Sequence, residues 1–170
     1  MRALKHIAFF LFCIITLCSC SKKLLPPTVE AKESIRNYKY AYVTGTDPLV
    51  TGSGTMVSGI YLSSQSSANP KDIITGRLVK EGFVILPELK EELLEETIIV
   101  NYGQCGCRKL SLFYVSTEIV LQFLSTKTNQ IICNCASEGC GEHITDDIQI
   151  AINRAFDAML GKGEIKYYRN

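Results

Sequence analysis

Two periodicities divide this chain, and they place strands and helices in a definite order. Arg36 to Val43 alternates, with Tyr38, Tyr40 and Tyr42 on one side, the period of two expected of a half-buried strand. Packing of that tyrosine stripe against a helix is the expected use, and a contact surface is the other, since Tyr is frequent at interfaces. Asn69-Pro70 then opens a helix with Asn at the N-cap and Pro at N1; Ile74, Leu78 and Glu81 fall on successive turns before the stop at Gly82. Phe83 to Leu86 is a short apolar strand, and Pro87 to Glu96 reads as a short acidic helix or turn.

Thr97 to Tyr102 predicts a strand, and Gly103 to Lys109 a turn. Leu112 to Leu124 predicts the longest strand, with Phe113, Val115, Thr117, Ile119, Leu121 and Phe123 on its mostly apolar face. Thr126 to Gln130 turns the chain, and Ile131 to Glu138 returns, completing an antiparallel meander. After a cap at Thr145-Asp146-Asp147, the residues Ile148, Ile152, Ala155, Phe156 and Met159 form one helical stripe ended by Gly161. The fold class expected is α/β (α+β): a two-layer sandwich, mainly antiparallel, with two amphipathic helices packed on one face of the sheet.

Two stretches fall outside either periodicity. Residues 44–69 are rich in Gly, Ser and Thr and read mostly as mobile loop, with Met56 to Leu62 as a short strand or edge ribbon. The first residues have the three parts of an export signal: Arg2 and Lys5, an apolar run of 11 residues from Ile7 to Leu17, and a small-residue exit at Leu17-Cys18-Ser19-Cys20. The run is short for a membrane span, which needs about 20 residues. Its exit resembles a bacterial lipobox. That resemblance implies cleavage after Ser19 and a covalent diacylglyceryl and N-acyl lipid, palmitate among its chains, on Cys20. The organisation expected is a signal peptide over 1–19, a lipidated tether over 20–35 with Pro26-Pro27 keeping it extended, a single α/β domain over 36–161 and a tail over 162–170.

Composition narrows the function. The 18 basic and 17 acidic residues become 16 and 17 once Arg2 and Lys5 are removed, which is no nucleic-acid footprint. The mature chain of 151 residues suits one domain with a sizeable core. Glu91, Glu92, Glu95 and Glu96 read as a solvated helix face, and Gly52-Ser53-Gly54-Thr55 lacks the Lys-Ser/Thr of a phosphate loop.

The unusual resource is cysteine. Beyond Cys20 the mature chain keeps Cys105, Cys107, Cys133, Cys135 and Cys140. Export to an oxidising compartment favours disulfides, with one of the five left over. Cys133 and Cys135 read equally well as small buried apolar residues. A soft-metal site for zinc or Cu(I) would use Cys105, Cys107 and Cys140 with His143, if the turn and the end of the last strand meet at one end of the sheet. Gly139-Cys140-Gly141-Glu142-His143 suggests a Cys/His nucleophile, but sequence adjacency does not pair the two in space, and a Ser-His-Asp site would lack a Gly-x-Ser-x-Gly elbow.

Several segments carry a family resemblance: Lys80-Glu81-Gly82-Phe83, Thr97-Ile98-Ile99-Val100-Asn101-Tyr102-Gly103, Phe123-Leu124-Ser125-Thr126-Lys127-Thr128-Asn129, Asp146-Asp147-Ile148 and Ala151-Ile152-Asn153-Arg154-Ala155. Over residues 36–160 the chain resembles the DUF4136-like bacterial envelope lipoproteins of Bacteroidetes. More loosely, it is similar to the α/β domain of the curli-secretion lipoprotein and the amino-terminal domain of the Tol-system propeller protein. The Gly/Ser stretch and the cysteine cluster depart from that pattern. The resemblance implies a non-enzymatic binding or accessory module in an envelope assembly, with no catalytic residue to carry over and no cofactor beyond the lipid. The expected partners are the membrane and an envelope protein, without nucleic acid. Ser21, by resemblance to sorting patterns, and Lys22-Lys23, which lacks an acidic surface-export run, imply an outer-membrane anchor facing the periplasm. The alternative is a thiol-based metal-binding or redox protein using Cys105, Cys107, Cys133, Cys135 and Cys140.

Overall fold

The computed structural model describes residues 23–45, 49–57, 60–111 and 114–162. Cys20, Phe113 and the tail beyond Lys162 lie outside the described residues. The described strands are β1 (Thr28–Ala31), β2 (Tyr40–Val43), β3 (Leu49–Val57), β4 (Ile60–Ala68), β5 (Val84–Ile85), β6 (Thr97–Lys109), β7 (Val115–Ser125) and β8 (Ile131–Gly139). The described helices are α1 (Pro70–Lys80) and α2 (Ile144–Met159). Six strands form one sheet in the order β1-β8-β7-β6-β2-β5, and β3 and β4 form a separate ribbon. β6, β7 and β8 make the expected antiparallel meander. β2 runs parallel to both β5 and β6, so α1 lies on the crossover from β2 to its parallel neighbour.

The α+β sandwich is present, with both helices on one face. Ala41, Val43, Ile98, Val100, Ile119, Leu121, Phe123, Cys133 and Cys135 are buried beneath Ile74 and Leu78 of α1 and Ile148, Ile152 and Phe156 of α2. Phe123 and Phe156 meet edge to face with centroids 6.0 Å apart. Asn69 caps α1 by accepting from Lys71 N at 3.1 Å, and Gly82, at φ 95°, lets Phe83 N return to Leu78 O. Arg77 ties the helices together, pairing with Asp157 and lying over the Phe156 ring.

Several segments differ from the sequence expectation. The stretch expected as tether is not free to residue 35, because Thr28 to Ala31 pairs antiparallel with Ala136 to Cys133 as an edge strand. The strand expected from Arg36 begins at Tyr40; before it, Ile35 to Asn37 forms a 3-10 turn whose start Ser34 caps. The core face of β2 carries Ala41 and Val43, so Tyr40 and Tyr42 lie on the opposite face, and packing of that pair against a helix is corrected. Alternation marks two faces but does not say which is covered, and small Ala41 suits the close approach of a helix. Residues expected as loop within 44–69 form β3 and β4, in continuous antiparallel register from Leu49↔Ala68 to Val57↔Ile60. Such a ribbon is held by backbone pairing and gives no strong apolar pattern. Pro87 to Glu96 contains a 3-10 turn at Glu91–Glu96. The last helix starts two residues earlier than expected, with His143 at its N-cap and the Asp146 carboxylate accepting from His143 N at 3.2 Å.

Candidate functional site

The largest correction concerns the cysteines. Gly103 to Lys109 is not a turn: β6 runs on through Lys109, and its register shifts between Gln104 and Gly106. The sequence suggested a turn because two glycines interrupt the apolar alternation, whereas a β-bulge uses such a site inside a strand. Cys105 is the extra residue of the bulge. It lies on the side of Glu118, whose charge, after burial, helps push its thiol up. Cys107 pairs across to Thr117, and its Sγ accepts from Gln104 Nε2 at 3.3 Å.

Cys107, Thr117 and Gly139 do share one level at one end of the sheet, but β7 runs between β6 and β8. Cys105 and Cys107 are exposed, whereas Cys140 is buried and His143 exposed. No cluster of three or more His, Cys, Asp or Glu side chains able to hold a metal occurs among the described residues. The proposed gathering of Cys105, Cys107, Cys140 and His143 is therefore not formed. Cys133 and Cys135 point into the core, and no disulfide links them to each other or to Cys105 or Cys107. Burial, and then Cys133, push the Cys135 thiol up to about 12, and burial alone raises Cys133.

Gly139-Cys140-Gly141 owes its composition to packing. A Cβ on Gly139 would lie 1.8 Å from the backbone oxygen of Asp147, and one on Gly141 would lie 2.4 Å from Asp146 Cβ. The chain therefore passes directly against the first turn of α2. Asp147, itself buried, accepts from Gly141 N, and its other oxygen accepts from Thr117 Oγ1 at 3.4 Å. Its carboxylate thus joins the helix start, β7 and the glycine segment.

A polar network that the sequence reading missed lies at the same end of the sheet. Arg108 grips the buried Glu138 bidentately, Nε to Oε1 at 2.7 Å and Nη2 to Oε2 at 2.6 Å. The Arg108 hydrogen bond, with a smaller part from Leu25 N and Arg154, holds the Glu138 carboxyl below its ordinary range. Leu25 N donates to Glu138 Oε2 at 3.0 Å, Arg154 Nη2 donates to Leu25 O at 2.7 Å, and Arg108 Nη2 donates to Lys23 O at 3.3 Å. Arg154 also donates to Glu138 O, and its burial lowers its pKa. The segment leading to β1 is therefore strapped to β6, β8 and α2. Arg108, Glu138 and Arg154 are far apart in sequence, and only the strand register marks the first two as near neighbours.

Two further surface features lie away from this network. No described helix covers the second face of the sheet, where register aligns Asn101, Gln122, Asn134 and Glu30 across four strands. Asn134 Oδ1 is buried there without a hydrogen-bond partner among the described residues. On the helix side, a pocket of about 360 Å³ lies between the segment 31–36, Cys133 and the end of α2 at Met159 and Leu160. Lys32, Glu33 and Arg36 contribute charge to its lining.

No family model matches the chain, and no curated protein does. Solved structures that are similar include two crystal forms of a PelC dodecamer from Paraburkholderia phytofirmans. One, of a point variant, has 10% identity and TM-score 0.48, covering 78% of this chain and 95% of that one. The other has 11% identity and TM-score 0.47, covering 76% and 94%. A chain described as a neuraminyllactose-binding hemagglutinin homologue from Helicobacter pylori has 11% identity and TM-score 0.28, over 78% of this chain and 82% of that one.

Proposed function

We propose that this chain is a lipid-anchored bacterial envelope protein whose α+β domain serves as a non-enzymatic binding or accessory module. The observation that supports this most is the strap at Lys23 to Leu25. Lys23 and Leu25, three and five residues after Cys20 of the lipobox-like Leu17-Cys18-Ser19-Cys20, are bound to the domain by Arg108, Glu138 and Arg154, which would connect an anchor firmly to a body. The helix-free face, with its row of amides and the partnerless Asn134 Oδ1, is the surface that would meet a protein partner. An outer-membrane position facing the periplasm is part of the same proposal and rests on Ser21-Lys22-Lys23.

Expression in a diderm bacterium with isotope-labelled palmitate tests the anchor. The wild type should carry label on its N-terminal peptide and sediment with membranes; Cys20→Ala should lose the label and stay unprocessed. An unlabelled wild type released by a salt wash would refute the reading. Crosslinking in the native membrane, compared with variants on the second sheet face such as Gln122→Arg, would then locate the partner surface.

A further inference from the structure

We propose that the end of the sheet bearing Lys23, Leu25, Lys109, Tyr114 and Val115 rests on the phospholipid headgroup layer, so that the domain stands upright on its anchoring membrane. This deepens the lipid-anchor reading and rests on it.

The first support is reach. A tether free to residue 35 would let the body drift well away from the bilayer. The chain is instead bound from Lys23 onward, through Arg108 to Lys23 O and through Glu138 and Arg154 to Leu25. Three residue steps separate Cys20 from Lys23, and a fully extended chain covers at most about 11 Å in three steps. The headgroup zone on each side of a bilayer is itself roughly 5–8 Å thick. A glyceryl group seated at that zone therefore brings Lys23, and the sheet end to which it is bound, onto the membrane surface.

The second support is what this end displays. Leu25, Tyr114 and Val115 are 55%, 40% and 49% exposed. Val115 pairs with Lys109 at the tip of the β6–β7 hairpin, one step beyond Arg108↔Ser116, and Arg108 is the residue that holds Lys23. The tyrosine has the amphipathic character that suits a bilayer interface. Lys23 and Lys109 are exposed beside these apolar groups, while the charge of Arg108 is engaged by Glu138. Glu118 and Glu142 lie at the same end and offset the lysines. Apolar contact rather than net charge must therefore dominate, and the attachment should persist at high salt. Val84, also exposed, aligns through Tyr40 with Thr97 at the opposite end of the sheet. The 13 residues of β6 separate the two ends by roughly 40 Å at about 3.3 Å per residue.

The chain contains no Trp, so a single introduced Trp reports on one site. The full mature lipoprotein carrying Tyr114→Trp, or Val84→Trp as the distant control, would be reconstituted in vesicles of phosphatidylcholine and phosphatidylglycerol with or without brominated acyl chains. The Trp at 114 should be quenched several-fold by bromolipid, at low and high salt alike, and the Trp at 84 should be unaffected. Protein that floats with the vesicles but shows no quenching at 114, or equal quenching at both sites, overturns the upright orientation while leaving the anchor standing. Protein that does not float with the vesicles removes the anchor and this inference together.

Discussion

Replacing Gly139 with Ala tests the packing account of the glycine-cysteine-glycine segment. The added methyl would sit 1.8 Å from the Asp147 carbonyl oxygen and 2.7 Å from Ala151 N, both backbone atoms of α2. Restoring ordinary contact at about 3.4 Å requires the helix and strand to separate by more than 1 Å, since no side chain can rotate away. That separation would loosen the packing of Ile148, Ala151 and Ile152, all fully buried. Overpacking of a tight core costs about 1–3 kcal/mol, and a clash with backbone on both sides belongs at or above the upper end. For a domain of this length, 3 kcal/mol lowers Tm by roughly 6–12 °C. Urea unfolding followed by far-UV circular dichroism gives the comparison with Gly106→Ala, where an added Cβ meets nothing within 4 Å. Gly106→Ala should stay within about 0.5 kcal/mol of wild type. Equal stability of the two variants would show that Gly139 is not retained for close approach, and would return the segment to a chemical reading.

Three other outcomes follow from the packing. Phe123→Ala should cost about 3–5 kcal/mol in urea unfolding, because it removes a fully buried ring set against Phe156. Brief alkylation of the native protein followed by peptide mass spectrometry should label Cys105 and Cys107 and spare Cys133 and Cys135; rapid labelling of Cys135 at neutral pH would contradict its burial and its pKa near 12. The Glu138 carboxyl is held below its ordinary value, so its contribution to stability is complete above the unfolded-state pKa, near 4.3, and is lost as pH falls through the lower folded value. Glu138→Gln should weaken that acid-side loss of stability and speed tryptic cleavage after Lys23; unchanged cleavage would mean that the strap does not depend on this carboxylate.

The sequence by itself determined the elements with a strong period and the ends with strong caps. The helix from Asn69-Pro70 to Gly82 was legible mainly from its capped start and glycine stop, and the stripe Ile148, Ile152, Ala155, Phe156 because burial of one helix face imposes a 3.6-residue repeat. The meander was legible for the same reason at a period of two, and with it the α+β class. The lipobox-like segment was legible as a string of residues and remains a reading of sequence alone. Tertiary structure decided which face of each strand is covered: Ala41 and Val43 go inward and Tyr40 and Tyr42 outward, although alternation is identical on both sides.

Only the three-dimensional register separated Cys105 from Cys107 and Cys140, because one bulge residue reverses every side chain after it. Strand pairing also made β1 of residues that the sequence suggests are tether, since an edge strand needs only a neighbour's open backbone groups and few apolar residues of its own. The Glu138 network joins residues 23, 25, 108, 138 and 154. Hydrogen bonding acts through space and leaves no period along the chain, so that end of the sheet became recognisable only once the strands were laid side by side.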